Sequence, residues 1–109
     1  MNNSVTQNLI NDDYIMDVYT RMKQKHGQDI IILFHVGRFF ESYFADSIIV
    51  AELGVKRVLV EKHINYVVYA TRIPENELEK YRKRLYFQGY GTVVSEMLGK
   101  DGRYKLDSL

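Results

Sequence analysis

The sequence contains no cysteine, and this absence excludes two kinds of site at once. A disulfide framework and a thiolate-coordinated metal both require cysteine side chains. Long apolar runs are also missing, since the run Ile30 to Phe34 is far shorter than the about 20 residues that a transmembrane helix needs. Residues 1–7 have neither the basic nor the apolar region of a secretory signal. We therefore expect a cytoplasmic protein that has no membrane partner.

Net charge is nearly absent as well, because 15 basic side chains face 14 acidic ones and leave a formal charge of +1. No field of the whole molecule draws such a chain onto nucleic acid, so any contact with DNA must be local. Apolar residues, in contrast, make up 46% of the 109 residues, which is enough to form a hydrophobic core. Since this length is typical of one domain, we expect residues 1–109 to fold as a single unit.

Hydrophobic periodicity predicts an α/β fold with about three helices against a sheet. Four-residue spacing from Ile10 to Met22 predicts a helix over 12–26, with Asn11 as its cap. The apolar run Ile30–Val36 predicts a strand that is central and buried on both faces. The remaining predicted elements are an extended segment at 39–44, a helix at 46–53, paired strands at 55–61 and 65–73, a helix that begins at Pro74, and a last strand at 91–98.

The motifs of common enzymes are missing from the chain. The histidines lack the His-x-x-x-His spacing of a zinc site, and we interpret His35 as a core-strand residue satisfied by a backbone group. The stretch Gly99-Lys100-Asp101 lacks two required residues of a P-loop, and Gly89-Tyr90-Gly91 lacks the third glycine of a dinucleotide fingerprint. No serine lies in a Gly-x-Ser-x-Gly elbow. We therefore expect no enzymatic activity, no metal, no nucleotide and no other cofactor.

One short segment combines an aromatic ring with a carboxylate in a pattern that suits DNA. On an extended backbone, side chains two residues apart share a face, so Phe39, Glu41 and Tyr43 point one way while Arg38 and Phe40 point the other. An exposed ring can wedge between base steps, and a carboxylate can accept a hydrogen bond from a displaced base. The alternative is that Phe39 belongs to the core and Glu41 is a solvated surface acid.

Several segments, in this order and spacing, resemble the N-terminal mismatch-recognition domain of the MutS DNA mismatch-repair family, over about residues 14 to 97. They are Arg21–His26, Gly37-x-Phe39-Phe40-Glu41-x-Tyr43, Ile73-Pro74, Gln88-Gly89 and Val93–Glu96. The resemblance implies a mixed β-sheet flanked by helices, in which Phe39 stacks on a mispaired base and Glu41 hydrogen-bonds to it. It extends to no connector, lever, clamp or ATPase domain, so ATP binding is not implied.

The chain departs from the family pattern at three places. Arg38 replaces the usual acid, and the alternatives are that it brings a phosphate-binding charge or that it is merely a surface change. Thr71-Arg72 stands where the family generally has Ala-Gly before Ile-Pro, and Glu75-Asn76 replaces the usual Tyr-His after the proline. We therefore expect that a backbone conformation that depends on glycine is lost at Thr71-Arg72.

Two functions of different classes follow from this sequence. The first is a free-standing module that contacts mispaired or deformable double-stranded DNA through Phe39 and Glu41, with Arg38 as a further DNA contact. The second is a protein-interaction or regulatory domain that keeps the fold, binds a protein partner and has lost DNA binding. An unrecognised hydrolase is a third and weaker alternative, because no catalytic site supports it. Exposure of the Phe39 side chain separates the first function from a purely structural role.

Overall fold

The computed structural model describes residues 14–96, so the Asn11 cap, residues 97–98 of the last predicted strand and the stretch Gly99-Lys100-Asp101 lie outside the described residues. The elements in chain order are α1 (Tyr14–His26), β1 (Ile30–Val36), β2 (Phe39–Tyr43), α2 (Phe44–Ala51), β3 (Arg57–Lys62), β4 (Val67–Pro74), a 3-10 turn (Glu75–Glu77), α3 (Leu78–Phe87) and β5 (Gly91–Ser95). Within the described residues, this arrangement of three α-helices and one sheet confirms the predicted α/β class.

The five strands form one mixed sheet in the order β3-β4-β2-β1-β5. Strands β1 and β5 are parallel, and all other neighbours are antiparallel. β2 is the middle strand of the five. β1 lies between β2 and β5, so it is an interior strand as predicted, and Ile31–Phe34 are fully buried. Their burial confirms a strand that is covered on both faces. The predicted hairpin is present as the antiparallel pair β3 and β4.

Two predicted helix starts differ from the structure. Pro74 ends a strand instead of beginning a helix, because it is extended (ψ 144°) and pairs with Phe39 across the β2–β4 ladder. Helix α3 begins only at Leu78, after the 3-10 turn. Helix α2 begins at Phe44 rather than at residue 46, since a φ of +52° at Phe44 turns the chain sharply out of β2.

A tight turn at Gly37 and Arg38 joins β1 to β2 and fixes one end of the sheet. Val36 pairs with Phe39, so only these two residues form the connection. Gly37 has a φ of +61°, and glycine at the first central position is the requirement of a type II′ hairpin turn. The Arg38 carbonyl accepts a hydrogen bond of 3.0 Å from the Glu75 N–H, which ties this turn to the end of β4. Residues 36–39 and 74–75 together are called the tip below.

Each face of the sheet has its own hydrophobic core. One face packs against α1, where Ile15, Val18 and Met22 belong to the same core as Phe34 and Tyr43. The other face packs against α2 and α3 through the buried residues Ile31, Leu33, Phe40, Val50, Leu53, Ile73 and Leu85. Burial of both faces of β1 and β2 explains why their sequences lack the polar alternation of an exposed strand.

A buried ion pair fastens α1 to the beginning of α2. Lys23 Nζ lies 2.9 Å from Asp46 Oδ1, and the two side chains are 4% and 1% exposed. Asp46 also accepts hydrogen bonds from the Ile32 backbone N–H at 3.0 Å and from the Tyr19 hydroxyl at 3.3 Å. Burial raises the pKa of Asp46 above its ordinary value, and the contacts with Ile32 and Lys23 oppose that shift. One carboxylate thus joins two helices and a strand.

Replacing Lys23 by methionine leaves the Asp46 carboxylate buried without its cation. Removal of one partner of a buried pair costs about 3–5 kcal/mol, so we expect the free energy of unfolding in urea to fall by that amount. Arg21→Ala is the control, because its pair with Asp17 is exposed and 3.4 Å long. That variant should lose less than about 1 kcal/mol. Equal losses in the two variants would contradict a structural role for the buried pair.

Candidate nucleic-acid interface

Phe39 lies at the tip and belongs to neither hydrophobic core. Its side chain is half-buried, and its backbone is held on both sides by the pairs with Val36 of β1 and Pro74 of β4. Arg72 covers the ring, with the guanidinium Cζ 4.5 Å from the ring centroid. The ring is therefore fixed in position by its strand but is only partly enclosed by other side chains.

Glu41 is buried, with an exposed fraction of 5%. Oε1 accepts a hydrogen bond of 2.7 Å from the Tyr43 hydroxyl, and Oε2 accepts one of 2.9 Å from Arg72 Nε. A solvated surface acid is therefore the wrong interpretation of this residue. The physical reason is its place in the middle strand, where cross-strand neighbours cover it.

The predicted alternation along β2 is confirmed by contacts on both faces. The hydrogen bond between Tyr43 and Glu41 places these two side chains on the same face, and Arg72 joins Glu41 to Phe39 there. Phe40 points to the other face, where its ring stacks on His35 with centroids 4.4 Å apart. Arg38 stands apart from this group, exposed in the turn.

Arg72 belongs to this site, but the sequence analysis did not predict it as a site residue. The register of β2 and β4 aligns Arg72 with Glu41, so their side chains leave the sheet on the same face. The Arg72 side chain is 41% exposed, whereas that of Glu41 is 7% exposed. The sequence shows that Arg72 departs from the family's Ala-Gly. It does not show the contact between Arg72 and Glu41, because these residues lie 31 positions apart in the chain.

His35 is held by two carboxylates, which corrects the expectation of a backbone partner. Nδ1 lies 2.8 Å from Glu96 Oε1, and Nε2 lies 2.6 Å from Glu75 Oε2. Glu96 comes beside His35 because β5 runs parallel to β1 with Ser95 opposite Phe34. The hydrogen bonds with Glu96 and then Glu75 raise the pKa of His35 above its ordinary value, since both carboxylates stabilise the imidazolium.

The raised pKa of His35 makes the stability depend on pH. The protonated ring adds stability that is complete below about pH 6.5, the ordinary histidine pKa, and is lost as the pH rises through the raised folded-state value. We expect the melting temperature to fall between about pH 6 and pH 8, and to fall less in His35→Gln. A Glu75→Gln, Glu96→Gln double variant should show the same reduced slope. An unchanged slope in His35→Gln would exclude this residue as the source.

Within residues 14–96, no three side chains of the metal-binding types converge closely enough to hold a metal ion. None of the helices in that part of the chain has the length and apolar character needed to cross a membrane. What the described residues do present is one guanidinium, that of Arg72, in contact with both the Phe39 ring and the Glu41 carboxylate.

The fold and this cluster define a small mixed-sheet α/β module with an aromatic side chain at its tip and a carboxylate two residues further along the same strand. Residues 14–103 match the family described as MutS domain I. The chain belongs to this family, and the predicted resemblance is confirmed.

The chain is similar to DNA mismatch repair proteins MutS from several bacteria. It is 33% identical to that of Trichormus variabilis over 82 residues, which are 73% of this chain and 9% of the relative. It is 32% identical to that of Trichodesmium erythraeum over 87 residues, which are 77% of this chain and 9% of the relative. It is 28% identical to that of Thermotoga petrophila over 91 residues, which are 84% of this chain and 11% of the relative. The chain thus spans about a tenth of the length of the curated relatives it matches.

Proposed function

We propose that this domain binds double-stranded DNA and recognises mispaired or deformable sites through Phe39 and Glu41, with Arg38 contacting a phosphate. The observation that carries the proposal is the position of the Phe39 ring, which lies at the tip, outside both cores, and shares Arg72 as a contact with the Glu41 carboxylate. Membership of MutS domain I supports the same function. The proposed activity is binding alone, without ATP hydrolysis or another catalytic step.

The geometry of the tip suits insertion of a ring into a weakened base stack. Phe39 begins β2, and hydrogen-bonded strands on both sides restrict the movement of its backbone. A ring that is positioned in advance loses little conformational entropy on binding. Stacking of a base on an aromatic side chain contributes about 1–3 kcal/mol, and a mispaired base is easier to unstack than a paired one. A preference for mismatches therefore requires no readout of sequence.

Charge at the tip favours only weak binding by the isolated domain. Arg38 is exposed and Arg72 is partly exposed, but the carboxylate of Glu41 lies against Arg72. Near the tip, Glu75 and Glu96 converge on His35 and add negative charge. Only a few phosphates can be neutralised by such a surface, so the affinity is expected to fall gently as salt is added.

Phe39→Ala should remove most of the preference for a single-mismatch duplex over a matched duplex, because the stacking contact of about 1–3 kcal/mol is lost. Phe87→Ala is the matched control, since this residue is 74% exposed and ends α3 four residues before Gly91, which begins β5 at the sheet end opposite to the tip. The measurement is fluorescence anisotropy on paired duplexes, with melting curves of both variants. A loss of about 3–5 kcal/mol of stability in Phe39→Ala would instead indicate a core role.

Arg38→Ala should weaken binding to matched and mismatched duplexes equally. Loss of one phosphate contact lowers the slope of log affinity against log salt by about 0.9. Lys62→Ala is the control, because Lys62 is exposed but pairs with Val67 at the end of β4 away from the tip. An unchanged slope in Arg38→Ala would exclude the proposed phosphate contact. A wild-type slope that requires about eight to ten phosphates would contradict the local interface.

A second candidate function is a protein-interaction or regulatory domain that keeps this fold without reading DNA. The contacts of Arg72 with Phe39 and Glu41 favour this second function, because a base cannot reach Glu41 while Arg72 stays there. Large apolar side chains are also exposed, with Ile64 at 95%, Tyr86 at 72% and Phe87 at 74%. Equal binding of matched and mismatched duplexes by the wild type, Phe39→Ala and a variant without the Arg72 cover would favour this alternative.

A further inference from the structure

Arg72 makes the two kinds of contact with Phe39 and Glu41 that the proposed function assigns to a DNA base. Its guanidinium lies over the ring at 4.5 Å, and its Nε–H donates to Glu41 Oε2 at 2.9 Å. A base stacked on Phe39 would use the ring, and its amino or imino group would donate to the same carboxylate. The planar guanidinium thus stacks on Phe39 and donates to Glu41, as the base would in the proposed function.

The two occupants exclude each other at Glu41. Oε1 already accepts the Tyr43 hydroxyl and Oε2 accepts Arg72, while only 5% of the Glu41 surface is exposed. A base therefore gains the carboxylate only when Arg72 moves away. We propose that Arg72 is a specificity-determining residue, an internal competitor that a mispaired base must displace. This inference rests on the proposed function.

The exposure of Arg72 allows such a displacement without unfolding. Its side chain is 41% exposed, so its cation–π contact with Phe39 is weak and its guanidinium can move into water, although its partner Glu41 is only 7% exposed. The backbone of Arg72 stays in the β4 ladder opposite Glu41, so rotation of the side chain is sufficient. A guanidinium remains charged after it leaves, and near the tip it can bind a phosphate oxygen. A paired base that remains stacked in the duplex offers nothing to offset the two lost contacts.

Arg72→Lys tests the inference because it keeps the charge but removes the planar group and the Nε donor. We expect the affinity for a single-mismatch duplex to rise roughly three- to tenfold. This is the gain expected when the base no longer has to break one cation–π contact and one ion pair of the arginine. The affinity for the matched duplex should not change. Both are measured by fluorescence anisotropy at one salt concentration.

Arg57→Lys is the matched control, since Arg57 also lies over an aromatic ring, that of Tyr69, at 5.0 Å. It pairs with Thr71, the neighbour of Arg72 along β4, and therefore faces the opposite side of the sheet. We expect its mismatch preference to equal that of the wild type. A similar gain in both variants would show a general effect of replacing arginine and would overturn the inference.

A second measurement follows the Arg72 Nε–H signal of the wild-type 109-residue chain by nuclear magnetic resonance. The signal should shift or broaden when the mismatched duplex is added and stay in place with the matched duplex.

An unmoved signal, with equal mismatch preference in the wild type and Arg72→Lys, would overturn the competitor role and leave DNA reading intact. A preference that emerges only in Arg72→Lys would support the competitor role. No preference in either protein would overturn the proposed function itself, and this inference with it.

Discussion

The pairing of β2 with its two neighbours is the constraint on which the rest of the structure depends. This strand has five residues and serves both faces of the sheet, with Phe40 in one core and Tyr43 in the other. Since side chains alternate along a strand, a slip of one residue against β4 would move Phe39 and Glu41 to the opposite face. The same slip would exchange Phe40 and Tyr43 between the cores. The packing of the cores therefore holds the register that assembles the tip.

Two buried carboxylates on this framework are stabilised in different ways. Asp46 has a partner, Lys23, that is itself only 4% exposed, and a backbone N–H completes its hydrogen bonding. Glu41 has a partner, Arg72, that is 41% exposed. Both arrangements offset the cost of removing a charge from water. The first one is closed to solvent and fastens helices, whereas the second has a partner that solvent and ligands can reach.

Local patterns in the sequence were sufficient for most of the elements and for part of the site. The apolar run of β1 predicted burial on both faces, and alternation along β2 predicted that Phe39 and Glu41 share a face. The partners of these residues were not predictable. Arg72 is 31 residues away from Glu41, and one carboxylate beside His35 is 61 residues away. A single sequence reveals the period of a strand, but the register between distant strands depends on how the whole sheet packs.

The parallel pair of β1 and β5 has a consequence for how the chain is made. Every described residue of the sheet except those of β5 precedes Gly91, so β1 lacks its parallel partner until Gly91–Ser95 has been synthesised. Contacts between segments so far apart along the chain form slowly. An apolar strand with an unpaired edge is also a template for association between chains. During translation, the interval before β5 docks is therefore a period in which the open edge of β1 can associate with other nascent chains.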